Sequence, residues 1–142
     1  RFCRLAIPHM REQGGGRIIN VTNLGAKAPA AASVPTSVSR AAGIAVTKAM
    51  SKEFAPDNIL VNTVCIGLIK SGQHESRFER TMSDNPDNTL EGMYESMGSR
   101  VPLGRVGEAA EAGDVIAFLA SERASYLTGI AVNIDGGTSP VV

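Results

Sequence analysis

The stretch SVPTSVSRAAGIAVTK, residues 33–48, crowds hydroxyl groups into the first turn of a helix that follows a strand and a loop. That placement suits an active site. A hydroxyl moves a proton only if it is acidic or has a base beside it. The residue types that would make this stretch chemically potent are missing from it. Other candidates are weaker. His74 has no partner at ligand or triad spacing and reads as a surface histidine. Asp84, Asp87, Glu91 and Glu95 read as a solvated face, not as a metal site. Met82, Met93 and Met97 suit either the lining of an apolar substrate cleft or plain packing. Cys3 and Cys65 fit neither a metal motif nor a disulfide framework, and read as reduced thiols of a cytoplasmic protein.

These groups need a scaffold. At 142 residues and 43% hydrophobic, the chain has material for one core. Its 14 basic and 14 acidic residues balance, which removes the electrostatic case for nucleic acid or an anionic membrane. Aromatics make up only 4%, so stacking platforms for bases are not favoured. No apolar run approaches the ~18 residues of a membrane helix. RFCRLAIPHMREQGGG has no long apolar middle and does not read as a signal peptide. It opens inside a helical pattern, with Phe2, Leu5, Ala6 and Met10 at approximate helical spacing and Pro8 a blemish. A helix without a beginning suggests a piece of something longer.

Gly14, Gly15 and Gly16 stop that helix. RIINVT, residues 17–22, then reads as a strand covered on both faces, being nearly continuous in apolar and β-branched residues. A small-residue loop leads to a helix over about 35–54, with Ser33 as its cap and Pro35 in its first turn. Val38, Ala41, Ala42, Ala45, Val46, Ala49 and Met50 recur at helical spacing and are expected to form its buried stripe. ILVNTVC, residues 59–65, is a second buried-type strand. Residues 67–105 lose the pattern and read as a long polar, lid-like segment with short helices. A helix over 108–121 follows, with Ala112, Val115, Ile116 and Leu119 inward and Glu108 and Glu111 near its positive end. IAVNI, residues 130–134, is the third strand. Strands alternating with long helices imply right-handed crossovers and a parallel sheet, an α/β fold.

Three segments resemble the C-terminal part of the short-chain dehydrogenase/reductase family: GGGRIINVT, FAPDNILVNTVCIGLI and PLGRVGEAAEAGDVIAFLASERASYLTGIAVNIDGG. The last is the most specific, because many residues match in one uninterrupted register. The resemblance implies that residues 1–142 are the C-terminal part of a single Rossmann-type domain. Such a domain is a doubly wound parallel sheet in a three-layer α/β/α sandwich, and 67–105 would be its substrate segment. It implies that the cofactor-binding first half is absent. Gly14 to Gly16 precede a strand, and Gly104 and Gly107 follow none, so neither set reads as a phosphate loop, which follows a strand and opens a helix.

The resemblance also implies where chemistry belongs. The family moves hydride between NAD or NADP and a carbonyl or alcohol. A Tyr handles the proton, a Lys four residues on binds the ribose and lowers the Tyr pKa, and a Ser upstream holds the substrate oxygen. Carried onto this chain, the Ser position is Asn23, the Tyr position Thr36 and the Lys position Arg40. Positions 36 and 40 share a helix face. Asn23 can still hydrogen-bond a carbonyl. Thr36 is shorter by a ring and lacks phenol acidity. Arg40 keeps a positive charge but holds its proton at any ordinary pH. The only tyrosines, Tyr94 and Tyr126, have Gly98 and Ile130 four residues on, so no register slip restores the motif.

In IGLIKS, residues 66–71, Gly67 is kept and Ile66 stands where the family has Pro. The resemblance places the Ile69 backbone against the nicotinamide amide and Ser71 near the diphosphate. It implies NAD or NADP bound by the full-length protein, with none bound tightly by these residues alone. It implies homo-oligomers, dimers or tetramers, that pair through the helices at 1–11 and 35–54. Three functions remain open: an oxidoreductase with altered catalysis, a catalytically silent homologue serving as subunit or binding module, and a different reaction in which Asn23 and Arg40 hold an anionic substrate.

Overall fold

In the computed structural model, which describes residues 2–81, 85 and 87–142, the β-branched runs form β1 (Gly16–Asn23), β2 (Ile59–Ile66) and β3 (Ala131–Ile134). They make one parallel sheet in the order β1-β2-β3. Among the described residues, five α-helices connect and cover them: α1 (Phe2–Glu12), α2 (Val34–Glu53), α3 (Gly72–Thr81), α4 (Leu90–Gly98) and α5 (Ala109–Ala120). The alternation of strand and helix is the expected one, and 67–105 contains two short helices.

Alternate side chains of β2 feed two cores. Ile59 and Val61 are fully buried against Ile7 of α1 and Met50 and Phe54 at the end of α2. Val64 packs on the other face with Leu119 of α5 and Ala124. Two helical layers therefore sandwich the sheet, a three-layer α/β/α arrangement. Burial of each such Ile or Val contributes about 1.5–3 kcal/mol, which explains why the central strand reads as an unbroken apolar run.

β1 departs from expectation. It is half-buried along most of its length, and Val21 is 60% exposed. Its sequence suits a covered strand, but among the described residues no strand pairs with its outer edge.

The stripe expected on α2 is also corrected. Val38, Ala41, Ala42, Ala45, Val46 and Ala49 face outward, and Met50 alone is half-buried. The face toward the sheet carries Ser37, Thr47 and Ser51, all buried. The reason is a polar thread through the interface. Asn20 Nδ2 of β1 donates to Thr47 Oγ1 at 2.8 Å, and Thr47 Oγ1 shares a hydrogen with Thr63 Oγ1 of β2 at 2.7 Å. Hydroxyls satisfied in this way can be buried at little cost. Ser33 makes no capping bond to the helix; its hydroxyl donates to Ala30 O and meets Ser37 Oγ at 2.8 Å. On α1, Phe2 and Leu5 are likewise exposed, while Ile7 is buried and Cys3 and Met10 pack with it. On α5 the expected inward face is observed, with Ala112 and Leu119 buried.

Candidate functional site

The strand register brings three chain positions to one edge. Asn23 pairs with Ile66 across β1 and β2, and Ile66 pairs with Ile134 across β2 and β3. All three strands end there together. In open parallel sheets the crevice beyond the carboxyl ends of the strands is where ligands bind.

Gly67 leaves β2 by pressing against β3's exit. Its N–H donates to Ile134 O at 2.9 Å, and a Cβ here would stand 2.7 Å from the Asp135 Cβ and 2.8 Å from its Cα. No larger residue fits without backbone movement. The following loop is then clamped by Gly107. Gly107 N–H donates to Leu68 O at 3.0 Å, and Lys70 N–H donates to Gly107 O at 2.9 Å. Between them, Ile69 forms an isolated parallel bridge with Gly107, and its own N–H and C=O make no hydrogen bond among the described residues. A free donor and acceptor on one residue suit a planar carboxamide.

Gly107 is itself held. Glu111 accepts two bonds from the Arg105 guanidinium, each 2.7 Å, and a third from the Glu108 N–H at 2.8 Å. The Arg105 hydrogen bonds, followed by that of the Glu108 amide, push the Glu111 carboxyl down to about 2. Arg105 is correspondingly raised by Glu111. This clamp was not legible as part of a site, although Glu111 was expected near the start of α5.

A cleft of about 1020 Å³ opens at this edge and is lined by Asn23, Arg40, Gly67, Ile69 and Ser71. Five of the six candidate positions therefore meet. Thr36 does not line the cleft and is exposed, one turn before Arg40 on α2. Asn23 Oδ1 accepts from the Gly25 N–H at 3.1 Å and caps a short 3₁₀ turn, which leaves its amide NH₂ as the available donor. Arg40 is half-buried, and its Nε is buried without a hydrogen-bond partner.

The opposite wall belongs to the lid. His74 and Arg77 of α3, Met97 of α4 and Arg100 in the turn just beyond it line the cleft. His74 corrects the sequence reading. It is half-buried, its Nδ1 has no hydrogen-bond partner, and its ring meets Tyr94 edge-on at 6.2 Å. Tyr94 is buried, and its OH also has no partner. It does not line the cleft. Lys70 Nζ lies 5.5 Å from the Tyr94 ring centroid and 2.7 Å from Glu108 Oε1. The Glu108 hydrogen bond raises its ammonium, which keeps Lys70 charged and unsuited to act as a base.

Asp87, Glu91 and Glu95 are exposed as expected, while Asp84 and Met82 lie outside the described residues. Met93 and Met97 line a second cavity of about 600 Å³ between α3 and α4. Among the described residues, no group of His, Cys, Asp and Glu could hold a metal ion, and no helix is long and apolar enough to cross a membrane. Both cysteines are free; burial raises the Cys65 thiol, with the Lys27 ammonium acting against it.

Comparison with known proteins supplies the context. The family model for enoyl-(acyl carrier protein) reductase matches residues 1–139. Dehydrogenase/reductase SDR family member 4 of Homo sapiens is 34% identical over 137 residues, 96% of this chain and 46% of that protein. L-sorbose reductase from Gluconobacter frateurii, complexed with NADPH and L-sorbose, superposes with a TM-score of 0.88 at 31% identity, covering 99% of this chain and 53% of its own. An NADPH-bound short chain oxidoreductase from Pseudomonas aeruginosa PAO1, containing an atypical catalytic center, gives a TM-score of 0.84 at 32% identity over 99% and 52%. The chain thus spans about half the length of the relatives it matches.

Proposed function

The chain belongs to the short-chain dehydrogenase/reductase family, and on that premise we propose that its cleft is the nicotinamide and substrate site of an NAD(P)-dependent oxidoreductase whose proton-donating residue has been lost. The observation that carries the reading is the loop after β2. There the Ile69 N–H and C=O stand free between two clamped neighbours, in the same cleft as Asn23 and Arg40. When bound, the dinucleotide supplies a hydride donor or acceptor. This chain's residues orient it: the Ile69 backbone holds the carboxamide, Arg40 faces the ribose and Ser71 the diphosphate. The buried, unpartnered Arg40 Nε supports that assignment, since a ligand oxygen would satisfy it.

On the substrate side, Asn23 donates its amide N–H to a carbonyl oxygen. No group of phenolic acidity follows it. Thr36 is too short and outside the cleft, and Arg40 holds its proton. General acid–base catalysis is typically worth about 10²–10⁴-fold, so turnover of simple carbonyls is reduced by that order. That the Pseudomonas relative combines NADPH with an atypical catalytic center supports cofactor binding without the usual set. Residues 1–142 act as the C-terminal part of the domain and are inactive on their own, with 67–105 closing over the substrate. The unpaired outer edge of β1 is where the first half of the sheet would dock.

A second reading, a silent homologue serving as a subunit or binding module, is favoured by one observation: Thr36 stands outside the cleft that its family position should serve. Either way, the outward apolar face of α2, with Val38 63% and Val46 52% exposed, together with Phe2 and Leu5 of α1, suits pairing of two copies. The test is a titration of NADH and NADPH into the complete polypeptide, followed by turnover on a carbonyl panel. Binding of one of the dinucleotides with slow turnover is expected. Binding with no turnover selects the second reading, and no binding at millimolar dinucleotide sinks the first.

A further inference from the structure

Four Arg and Lys side chains among the described residues have a carboxylate close by. Arg11 pairs with Asp57, Arg17 with Glu122, Lys70 with Glu108 and Arg105 with Glu111, each within 3.1 Å. The cleft is different. Among the described residues that line it there is no Asp or Glu, yet Arg40, Arg77 and Arg100 all face into it, and none of the three makes an ion pair with a described carboxylate. Three guanidinium groups without an ion pair among the described residues give this concavity a positive potential, which the concave walls focus. Arg77 and Arg100 also line the adjoining cavity between α3 and α4, which Asp87 borders. They come from two different lid elements and converge on a gap with Met97 between the two spaces. Beside them, His74 Nδ1 is buried without a partner.

We propose that Arg77 and Arg100 form a carboxylate-binding clamp, so that the substrate is an anionic carbonyl compound such as an oxo acid with an apolar body. The proposal rests on the reading of the cleft as a dehydrogenase site and names the substrate class it takes. Guanidinium groups bind carboxylates bidentately and with defined geometry. Met97 and Met93 offer an adaptable apolar surface for the body of such a substrate. Arg40 and Ser71 approach from the strand wall, where the cofactor is assigned. Arg77 and Arg100 approach from the lid, so the two pairs divide the cleft between cofactor and substrate.

The test uses calorimetric titration of the complete polypeptide, with and without NADPH. The ligands are pyruvate, 2-oxohexanoate and benzoylformate, each paired with its methyl ester. At least one acid is expected to bind tenfold or more tightly than its ester, and to weaken with added salt. The double variant R77Q/R100Q, which changes two exposed side chains, is expected to erase that difference and leave NADPH affinity unchanged. No acid binding better than its ester, or an unaltered preference in the variant, overturns the proposal. So does a fall in NADPH affinity in R77Q/R100Q, which would assign these arginines to cofactor phosphates. Failure of the dehydrogenase-site reading shows separately: neither NADH nor NADPH binds the wild type, while a charge-dependent acid preference persists and upholds the clamp.

Discussion

Where strand ends wall the cleft, backbone fixes nearly every group. Asn23, Ile66 and Ile134 stand in register, Gly67 is wedged against Asp135, and Gly107 clamps the loop on either side of Ile69. Across the gap, the lid contributes half-buried His74 and Met97 and exposed Arg77 and Arg100, and neither arginine makes an ion pair with a described carboxylate. The first wall is a geometry that tolerates few residues. The second is a chemistry that many residues could supply. On the proposed reading, the groups that position a cofactor and those that choose a substrate sit on different elements of the same cleft, and can diverge separately.

The largest expected effect comes from restoring the first wall. In the complete polypeptide, the triple change N23S/T36Y/R40K puts a phenol within reach of the cleft, because a tyrosine at 36 extends by the length of a ring beyond the present threonine. If the strand wall has kept its geometry, NADPH oxidation with a carbonyl panel rises by about 10²–10⁴-fold. A triple variant that stays inert on that panel breaks the comparison, since the cleft would then have changed beyond those three side chains.

A second test compares stability between the walls. Asn62 of β2 is buried; its Nδ2 donates to Leu127 O at 2.8 Å and its Oδ1 accepts from Ile130 N–H at 3.2 Å. It thereby holds the segment that leads into β3. Asn62→Ala strands both backbone groups and is expected to cost about 2–3 kcal/mol in denaturant unfolding. Arg77→Gln in the lid is expected to stay within about 0.5 kcal/mol, as exposed positions usually do. Equal losses at the two positions would remove the distinction between a structural wall and a chemical one.

This division also sets what was legible beforehand. β2 reads correctly because a fully buried strand leaves an unbroken apolar run, and α5 because its inward face is aliphatic. α2 misleads, because its sheet-facing residues are Ser37, Thr47 and Ser51, buried through hydrogen bonds that hydropathy does not register, while its alanines and valines face outward. At the proposed site, Asn23, Arg40, Gly67, Ile69 and Ser71 are named from register alone, and the structure brings them to one cleft. His74, Arg77 and Arg100 are missed. Their convergence depends on how two short helices fold back, and no spacing along the chain records it. The one available signal was the absence of acidic partners at helical spacing around Arg77 on its own turn toward the cleft.

The smallest effect probes the clamp behind the strand wall. In the folded chain Glu111 titrates at about 2 against an ordinary 4.5, held down first by Arg105 and then by the Glu108 amide. A depressed carboxyl contributes stability that is present above the unfolded value and lost as pH falls toward the folded one. That contribution therefore disappears between about pH 4.5 and 2. Because the pair is exposed, the contribution is small. In Arg105→Ala, the Glu111 carboxyl resonance is expected to titrate closer to 4.5, stopping short of it because the Glu108 N–H still donates. An unchanged titration would show that Arg105 does not hold Glu111. A restored titration together with weaker NADPH binding by the complete polypeptide would tie this surface pair, through Gly107, to the free backbone groups of Ile69. The strand wall would then extend two layers behind the cleft, whereas the two arginines of the lid wall are exposed side chains with no such support.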